Sequence, residues 1–206
     1  MKTPNARSSG LFRVLGLDPA VAGATGYGVI ESDGRSLRVL RYGAVRPAAG
    51  SRSAGNAHLC RVHALITELI DEFSPTDIAM ESIFIALNRR TALRLAEMRG
   101  VVLLAAAQKG LEVHSYSPRE IKCSVSGYGN AGKEQVQRMI RALLGLTETP
   151  EPADAADALA VAFCHVQAAQ SRRQMAGGFA RALLAGRHGA AGMRHREPGL
   201  RIPLSS

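Results

Sequence analysis

The chain has 206 residues, a formal net charge of +9, 46% hydrophobic residues and three cysteines. The cysteines are far apart and lack a C-x-x-C spacing, so they suggest neither a disulfide framework nor a thiolate zinc site. The sequence contains no run of 18 apolar residues, so it predicts no transmembrane helix. We therefore expect one cytoplasmic domain in a reducing compartment.

The positive charge is concentrated in the tail. Residues 171–206 hold seven arginines and one acid, whereas residues 11–170 carry 17 basic and 16 acidic residues. The tail mixes Gly, Ala and Arg without an apolar period, so we predict a folded domain at 11–170 and a basic, poorly ordered tail at 171–206. Any binding of polyanions by the domain must then come from local patches.

Three strands are predicted to open the domain. The first, "FRVLGLD", ends at Asp18 before a proline, and the second is "TGYGVIES". The third, "SLRVLRYGAV", follows Asp33-Gly34, which is a strong signal for a tight turn between antiparallel strands. We therefore expect an antiparallel opening to the sheet.

Helices and strands then alternate. "NAHLCRVHALITELIDEF" has apolar residues at helical spacing, and "DIAME" is a short buried strand that ends at Glu81. "RTALRLAEMRGVVLLAAAQ" is a helix that becomes apolar on every side after Gly100. Such a helix has to be covered on all faces, by the sheet or by a partner subunit.

The last third contains one more strand and two more helices. "LEVHSY" is the strand, and the glycine-rich loop "GYGNAGK" leads into the helix "KEQVQRMIRALLGL". "PADAADALAVAFCHV" belongs to the last helix. This order predicts an α/β fold in which a mixed sheet with antiparallel opening strands is flanked by helices.

Four carboxylates are expected to meet at one edge of this sheet. Asp18 and Glu81 each end a strand, and Asp154 and Asp157 open the last helix. Strand ends in α/β sheets gather at one edge, and acids that converge there repel unless divalent cations neutralise them. Oxygen ligands alone favour Mg²⁺ or Mn²⁺, and two such ions can promote attack of water on a phosphodiester. The alternative for each acid is structural, as a turn residue or a helix-start acid.

Several motifs together resemble the RuvC-type Holliday junction resolvases over about residues 13 to 168. The motifs are "LGLDPA", "TGYGVI", "AMESIF", "TALRLAEMRGVVLLAA", "SPREIKCSVSGYGNAGKEQVQRMI" and "PADAADALAVA". The resemblance implies a ribonuclease-H-like fold and a homodimer that nicks four-way DNA junctions symmetrically during recombination and repair. It also implies two Mg²⁺ or Mn²⁺ ions per site and a branch-migration motor partner of the RuvA/RuvB type. The family's catalytic acids match Asp18, Glu81, Asp154 and Asp157.

The resemblance also suggests residues that contact DNA. Phe84 lies in the loop that the family inserts at the junction point, where its ring could stack on an unpaired base; the alternative is a core phenylalanine. Lys122 and Lys133 match DNA-contacting lysines of the family and flank the glycine-rich loop, where an ammonium suits a phosphate oxygen. Three further residues follow Phe84 and either hold phosphates or form a solvated helix start: Asn88, Arg89 and Arg90.

Two other functions are considered. A junction-binding protein without cleavage is suggested by Ala20, which stands where the family usually has glycine, but the presence of all four acids favours cleavage. An ATP-binding protein of the sugar kinase and actin group shares the opening strand, aspartate and glycine-containing hairpin. That group needs two related domains, which 206 residues cannot hold.

Overall fold

The structure is a computed structural model that describes residues 11–19, 24–47, 54–82 and 89–189. Its elements in chain order are β1 (Phe12–Asp18), β2 (Thr25–Ser32), β3 (Leu37–Val45), α1 (Ala54–Phe73), β4 (Asp77–Glu81), α2 (Arg89–Gln108), β5 (Val113–Tyr116), α3 (Pro118–Ser126), α4 (Lys133–Leu143) and α5 (Ala153–Gly189).

The five strands form one mixed sheet in the order β3-β2-β1-β4-β5. β1, β2 and β3 are antiparallel, whereas β4 is parallel to β1 and β5 is parallel to β4. The Asp33 carboxylate accepts hydrogen bonds from the backbone N–H groups of Arg35 and Ser36, and Gly34 has a φ of 91°, which explains the tight turn before β3. The predicted α/β class with antiparallel opening strands is confirmed.

One face of the sheet packs on α1 and α2. Side chains alternate between faces along a strand, so Leu15 and Leu17 of β1 point to the same side as their neighbours Ile78 and Met80 of β4. All four are fully buried and belong to one apolar cluster with residues of α1 and α2. This cluster holds the sheet rigid beneath the opposite face, where the site lies.

The N-terminal half of α5 covers that opposite face. Glycines permit the close approach: a Cβ on Gly16 would overlap the backbone of Ala158, and a Cβ on Gly26 would overlap the carbonyl oxygen of Asp154. Gly26 is also the cross-strand partner of Asp18. The first turn of α5 is therefore pressed against the end of β1.

α3 was not predicted from the sequence. The Ser117 side chain accepts a hydrogen bond from the Glu120 backbone N–H, and the Glu120 carboxylate accepts one from the Ser117 N–H, which is a capping box. Pro118 occupies the first turn, and Gly127, with a φ of 74°, ends the helix. The sequence "SPRE" contains all the residues of this capping box, so α3 is predictable from local sequence.

α5 is longer than expected. The sequence predicts that the last helix ends near residue 170, whereas α5 continues to Gly189. Residues 171–176 are all exposed, in keeping with their lack of an apolar face. The chain divides into two compact units, Met1–Ala168 and Ala169–Ser206. The separation into a nuclease domain and a basic tail stays a prediction. No helix within the described ranges is both long and apolar enough to cross a membrane.

Candidate active site

Four carboxylates converge where β1, β4 and the start of α5 meet. β1 and β4 are parallel and in register, with Leu17 beside Met80, so Asp18 and Glu81 leave the sheet at the same edge. Asp154 lies in the first turn of α5, and Asp157 follows three residues later on the same helix face. All four side chains are partly buried.

The electrostatics of Asp18 show how close the acids are. Burial is the main cause that raises the pKa of Asp18 from its usual 3.8 to about 7, followed by the negative charges of Asp157, Glu81 and Asp154. Lys133 opposes this shift. The ionised carboxylates therefore repel one another at neutral pH, and a bound cation would relieve that repulsion.

Glu81 responds to the same neighbours. Burial raises the pKa of Glu81, and the charge of Asp157 adds to the effect. Lys122 and Lys133 lower the pKa of Glu81. Both lysines that the resemblance suggests as DNA contacts therefore lie close enough to act on the carboxylates.

Lys133 forms an ion pair with Asp157. The Lys133 Nζ lies 2.6 Å from Asp157 Oδ2, and this hydrogen bond is the main cause that raises the pKa of Lys133. Lys133 is the first residue of α4, directly after Gly132, and its side chain is 59% exposed. The ammonium therefore sits at the solvent side of the acidic cluster, where a phosphate would approach.

The donor set fits hard divalent cations. All four candidate ligands are carboxylates, which suits Mg²⁺ or Mn²⁺ rather than a softer metal. Within the described ranges, no three of these acids bring their oxygens to within 4.8 Å of one another. A cation bound by three of the carboxylates would therefore have to draw their oxygens closer together.

The remaining candidate DNA contacts are only partly described. Arg89 begins α2 and is exposed. Arg90 is the next helical residue, but its side chain lies outside the described part of the structure. Phe84 and Asn88 also lie outside the described residues, so their roles stay predictions.

His165 does not reach the acidic cluster. Its side chain is only 1% exposed, and its ring contacts Asp77 at the start of β4 and His114 and Tyr116 of β5. The sequence did not single out this second group, because Asp77, the β5 residues and His165 lie more than thirty residues apart along the chain. Period-two alternation in β4 and β5 was the one signal that could have suggested it.

Comparisons with known proteins identify the family of the chain. Residues 14–165 match the sequence profile of the family described as "Crossover junction endodeoxyribonuclease RuvC". The protein of that name from Moorella thermoacetica is 47% identical over 161 residues, which is 78% of this chain and 95% of the relative. The one from Natranaerobius thermophilus is 43% identical over 162 residues, with 79% and 99% covered.

Solved structures show the same fold. The RuvC of Thermus thermophilus, solved in complex with Holliday junction substrate, superposes with a TM-score of 0.72 at 33% identity, covering 78% of this chain and 96% of that one. The yeast mitochondrial Holliday junction resolvase Ydc2 has a TM-score of 0.58 at 15% identity, which supports the fold alone. The sheet is thus the ribonuclease-H-like one that the motifs imply, and the chain belongs to the RuvC family of crossover junction endodeoxyribonucleases.

Proposed function

We propose that this protein is a metal-dependent endonuclease that resolves four-way DNA junctions by paired, symmetric nicks. The observation that carries the proposal is the meeting of Asp18, Glu81 and the first turn of α5, which raises the pKa of Asp18 to about 7. A group of acids held together against their mutual repulsion is the arrangement expected of a cation site. The relatives named as crossover junction endodeoxyribonucleases support the same activity.

Each of the four carboxylates has a proposed role in holding the cations. Mg²⁺ or Mn²⁺, two per site, would supply an activated water and stabilise the leaving oxygen of the phosphodiester. Asp18 and Asp157 would hold the ion that activates the water, and Glu81 would complete the ligand set. Asp154 orients the remaining ligands. The close packing of Gly26 on the Asp154 backbone keeps the two helix acids at the end of β1.

The lysines position the DNA backbone. Lys133 is half-exposed and pairs with Asp157, and Lys122 lies near Glu81. Lys133 would contact a phosphate oxygen where its carboxylate partner is held by a cation instead. Arg89, together with Phe84, Asn88 and Arg90, is proposed to contact the junction beside this site.

A homodimer is proposed because paired nicking needs two active sites. The residues of α2 that face the sheet are buried, but the opposite side exposes three leucines: 67% for Leu93, 42% for Leu103 and 54% for Leu104. A second copy of the chain would cover this apolar side. By its family, the protein is further proposed to act in the cytoplasm with a branch-migration motor of the RuvA/RuvB type.

The direct test is cleavage of a synthetic four-way junction with Mg²⁺, beside a linear duplex of the same sequence. Symmetric paired nicks in the junction alone are expected. Asp157→Asn should bind the junction but not cut it, because it removes a metal ligand and leaves the DNA surface in place. Binding without nicks by the native chain would favour a junction-binding protein, and ATP turnover would favour the sugar kinase and actin group.

The dimer is tested by truncating or charging the exposed side of α2. Leu104→Glu, or truncation to alanine of the exposed leucines between Val101 and Ala105 (Leu103 and Leu104), should yield a monomer that no longer makes paired cuts. Leu143→Glu is the matched control, because Leu143 is 41% exposed on α4. Paired cutting by a variant proven to be monomeric by sedimentation would refute the dimer.

A further inference from the structure

The face of the sheet under α5 carries a second cluster of titratable side chains, formed by Asp77, His114 and His165. One ligand atom from each lies within 4.8 Å of the other two, and no other such group of three exists within the described ranges. His114 Nε2 is 3.3 Å from Asp77 Oδ1, and His165 Nε2 is 3.8 Å from Asp77 Oδ2. The two imidazole rings have centroids 4.5 Å apart.

The hydrogen bonding of the cluster leaves ligand atoms unused. His114 Nε2 is buried and makes no hydrogen bond, although it lies against the Asp77 carboxylate. The Thr76 hydroxyl donates to Asp77 Oδ2 at 2.7 Å, which orients the carboxylate. The His165 ring, followed by this hydroxyl, holds the pKa of Asp77 well below its usual range, so the carboxylate is ionised and able to bind a cation.

These distances suit a tetrahedral metal ion. Bonds of about 2.0 to 2.2 Å from zinc to nitrogen and oxygen place ligand atoms roughly 3.3 to 3.5 Å apart. The 3.3 Å between His114 Nε2 and Asp77 Oδ1 already has this value, whereas His165 Nε2 is 3.8 Å from the other carboxylate oxygen, Oδ2. Since the three ligand atoms lie within 4.8 Å of one another, a bound ion would draw them together by about 1 Å or less. Two imidazoles and a carboxylate favour a borderline cation such as Zn²⁺ over Mg²⁺.

Tyr116 supplies the outer support that such a site needs. Its hydroxyl lies 2.8 Å from His165 Nδ1, which leaves Nε2 directed at Asp77. A metal-binding histidine usually donates its second ring N–H to an oxygen in this way, which sets the tautomer. The exposed carboxylate of Glu112, 3.9 Å from His114 Nε2, or a water can complete the coordination.

The cluster is separate from the catalytic acids. Asp77 and Glu81 share one face of β4 about 13 Å apart, since they are four positions apart along the strand. His165 follows Asp157 by eight residues, or about 12 Å along α5. The same strand and the same helix therefore carry the acids at one end and this cluster at the other.

We infer that Asp77, His114 and His165 form a structural site for a divalent transition-metal ion of the zinc class, distinct from the Mg²⁺ site at the acids. The ion joins the start of β4 to β5 and to the middle of α5. It thereby clamps the helix that carries Asp154 and Asp157 onto the strand that carries Glu81.

The test uses full-length protein with Asp18→Asn and Asp157→Asn, so that the acidic site no longer competes for the metal. After treatment with EDTA and removal of the chelator, this protein is titrated with Zn²⁺. Bound zinc per chain is measured by mass spectrometry and Tm by calorimetry, and Co²⁺ serves as an absorption probe of tetrahedral geometry. One zinc per chain and a higher Tm are expected.

Three further variants in the same background decide the assignment. Asp77→Asn preserves the shape of the carboxylate and His114→Ala removes one ligand, and each should abolish stoichiometric zinc binding. Tyr116→Phe should weaken it by roughly 10-fold or more, as loss of an outer hydrogen bond does. His63→Ala, at an exposed histidine of α1, is the matched control and should bind zinc normally.

Two results would overturn the site. One is the absence of zinc binding at micromolar free metal in the background protein. The other is a zinc stoichiometry that survives both Asp77→Asn and His114→Ala, which would place the metal on other histidines of the chain. If His114→Ala does not fold, zinc binding by Asp77→Asn compared with that by His63→Ala still shows whether the metal binds at this cluster.

Discussion

Replacing Asp18 by asparagine should stabilise the protein while it eliminates cleavage. Burial and the charges of three neighbouring carboxylates raise the pKa of Asp18 from 3.8 to about 7. A carboxyl group with a raised pKa favours the folded state at low pH, and this advantage is lost as the pH rises from the unfolded value to the folded one. At about 1.36 kcal/mol per pKa unit, the ionised side chain disfavours folding by about 4 kcal/mol at pH 8.

The pH dependence isolates this effect from other consequences of the substitution. At pH 5 the folded carboxyl group is protonated, and the penalty falls to about 1.5 kcal/mol. An asparagine side chain cannot ionise, so the gain in the free energy of unfolding from Asp18→Asn should be about 2.5 kcal/mol larger at pH 8 than at pH 5. Any difference in packing between the two side chains contributes equally at both values and cancels.

The measurement is urea unfolding in the presence of EDTA at both pH values. Glu148→Gln, at an exposed acid between α4 and α5, is the control and should change stability little at either pH. A change in stability from Asp18→Asn that is the same at pH 5 and pH 8 would show that the pKa of Asp18 is not raised in the folded protein.

Three further predictions concern the same site. At limiting Mg²⁺, the rate of junction cleavage should rise with pH up to about 7 and level off above it, because protons compete with the cation at Asp18; a profile that is flat between pH 5.5 and 8 would contradict this. Lys133→Ala should shift that profile to higher pH, since Lys133 lowers the pKa of Asp18 and Glu81. The same variant should weaken junction binding, because it removes a cation proposed to contact phosphate. Lys109→Ala, at an ion pair with Asp71, is the control. Gly26→Ala should reduce cleavage and lower Tm, because its Cβ would displace the backbone of Asp154, and unchanged thermal unfolding would show that α5 does not pack against β2 as described.

The elements with strong local signals were predictable. β1, β2 and β3 follow from apolar alternation and an Asp-Gly turn, and α1 follows from its helical spacing. α3 has an equally local signal, the capping box of Ser117 and Glu120, although the helix was not predicted. The length of α5 was not predictable from periodicity, because the residues beyond 170 have no apolar face to reveal a helix.

The candidate acids were predictable for a different reason. Asp18 and Glu81 end buried strands, and the topology of α/β sheets brings such ends to one edge. The sequence also places Asp154 and Asp157 at the start of a helix, next to an alanine-rich apolar run. Sequence therefore determined which residues meet and, with its motifs, the family to which the chain belongs.

Only the tertiary structure decided how these groups interact. The raised pKa of Asp18 depends on burial and on charges from β4 and α5, and the ion pair between Lys133 and Asp157 joins two helices. His165 follows Asp157 by eight residues on α5, yet it packs against Asp77 and His114. Such effects depend on distances between residues remote in the chain, which local patterns of apolar and polar residues do not encode.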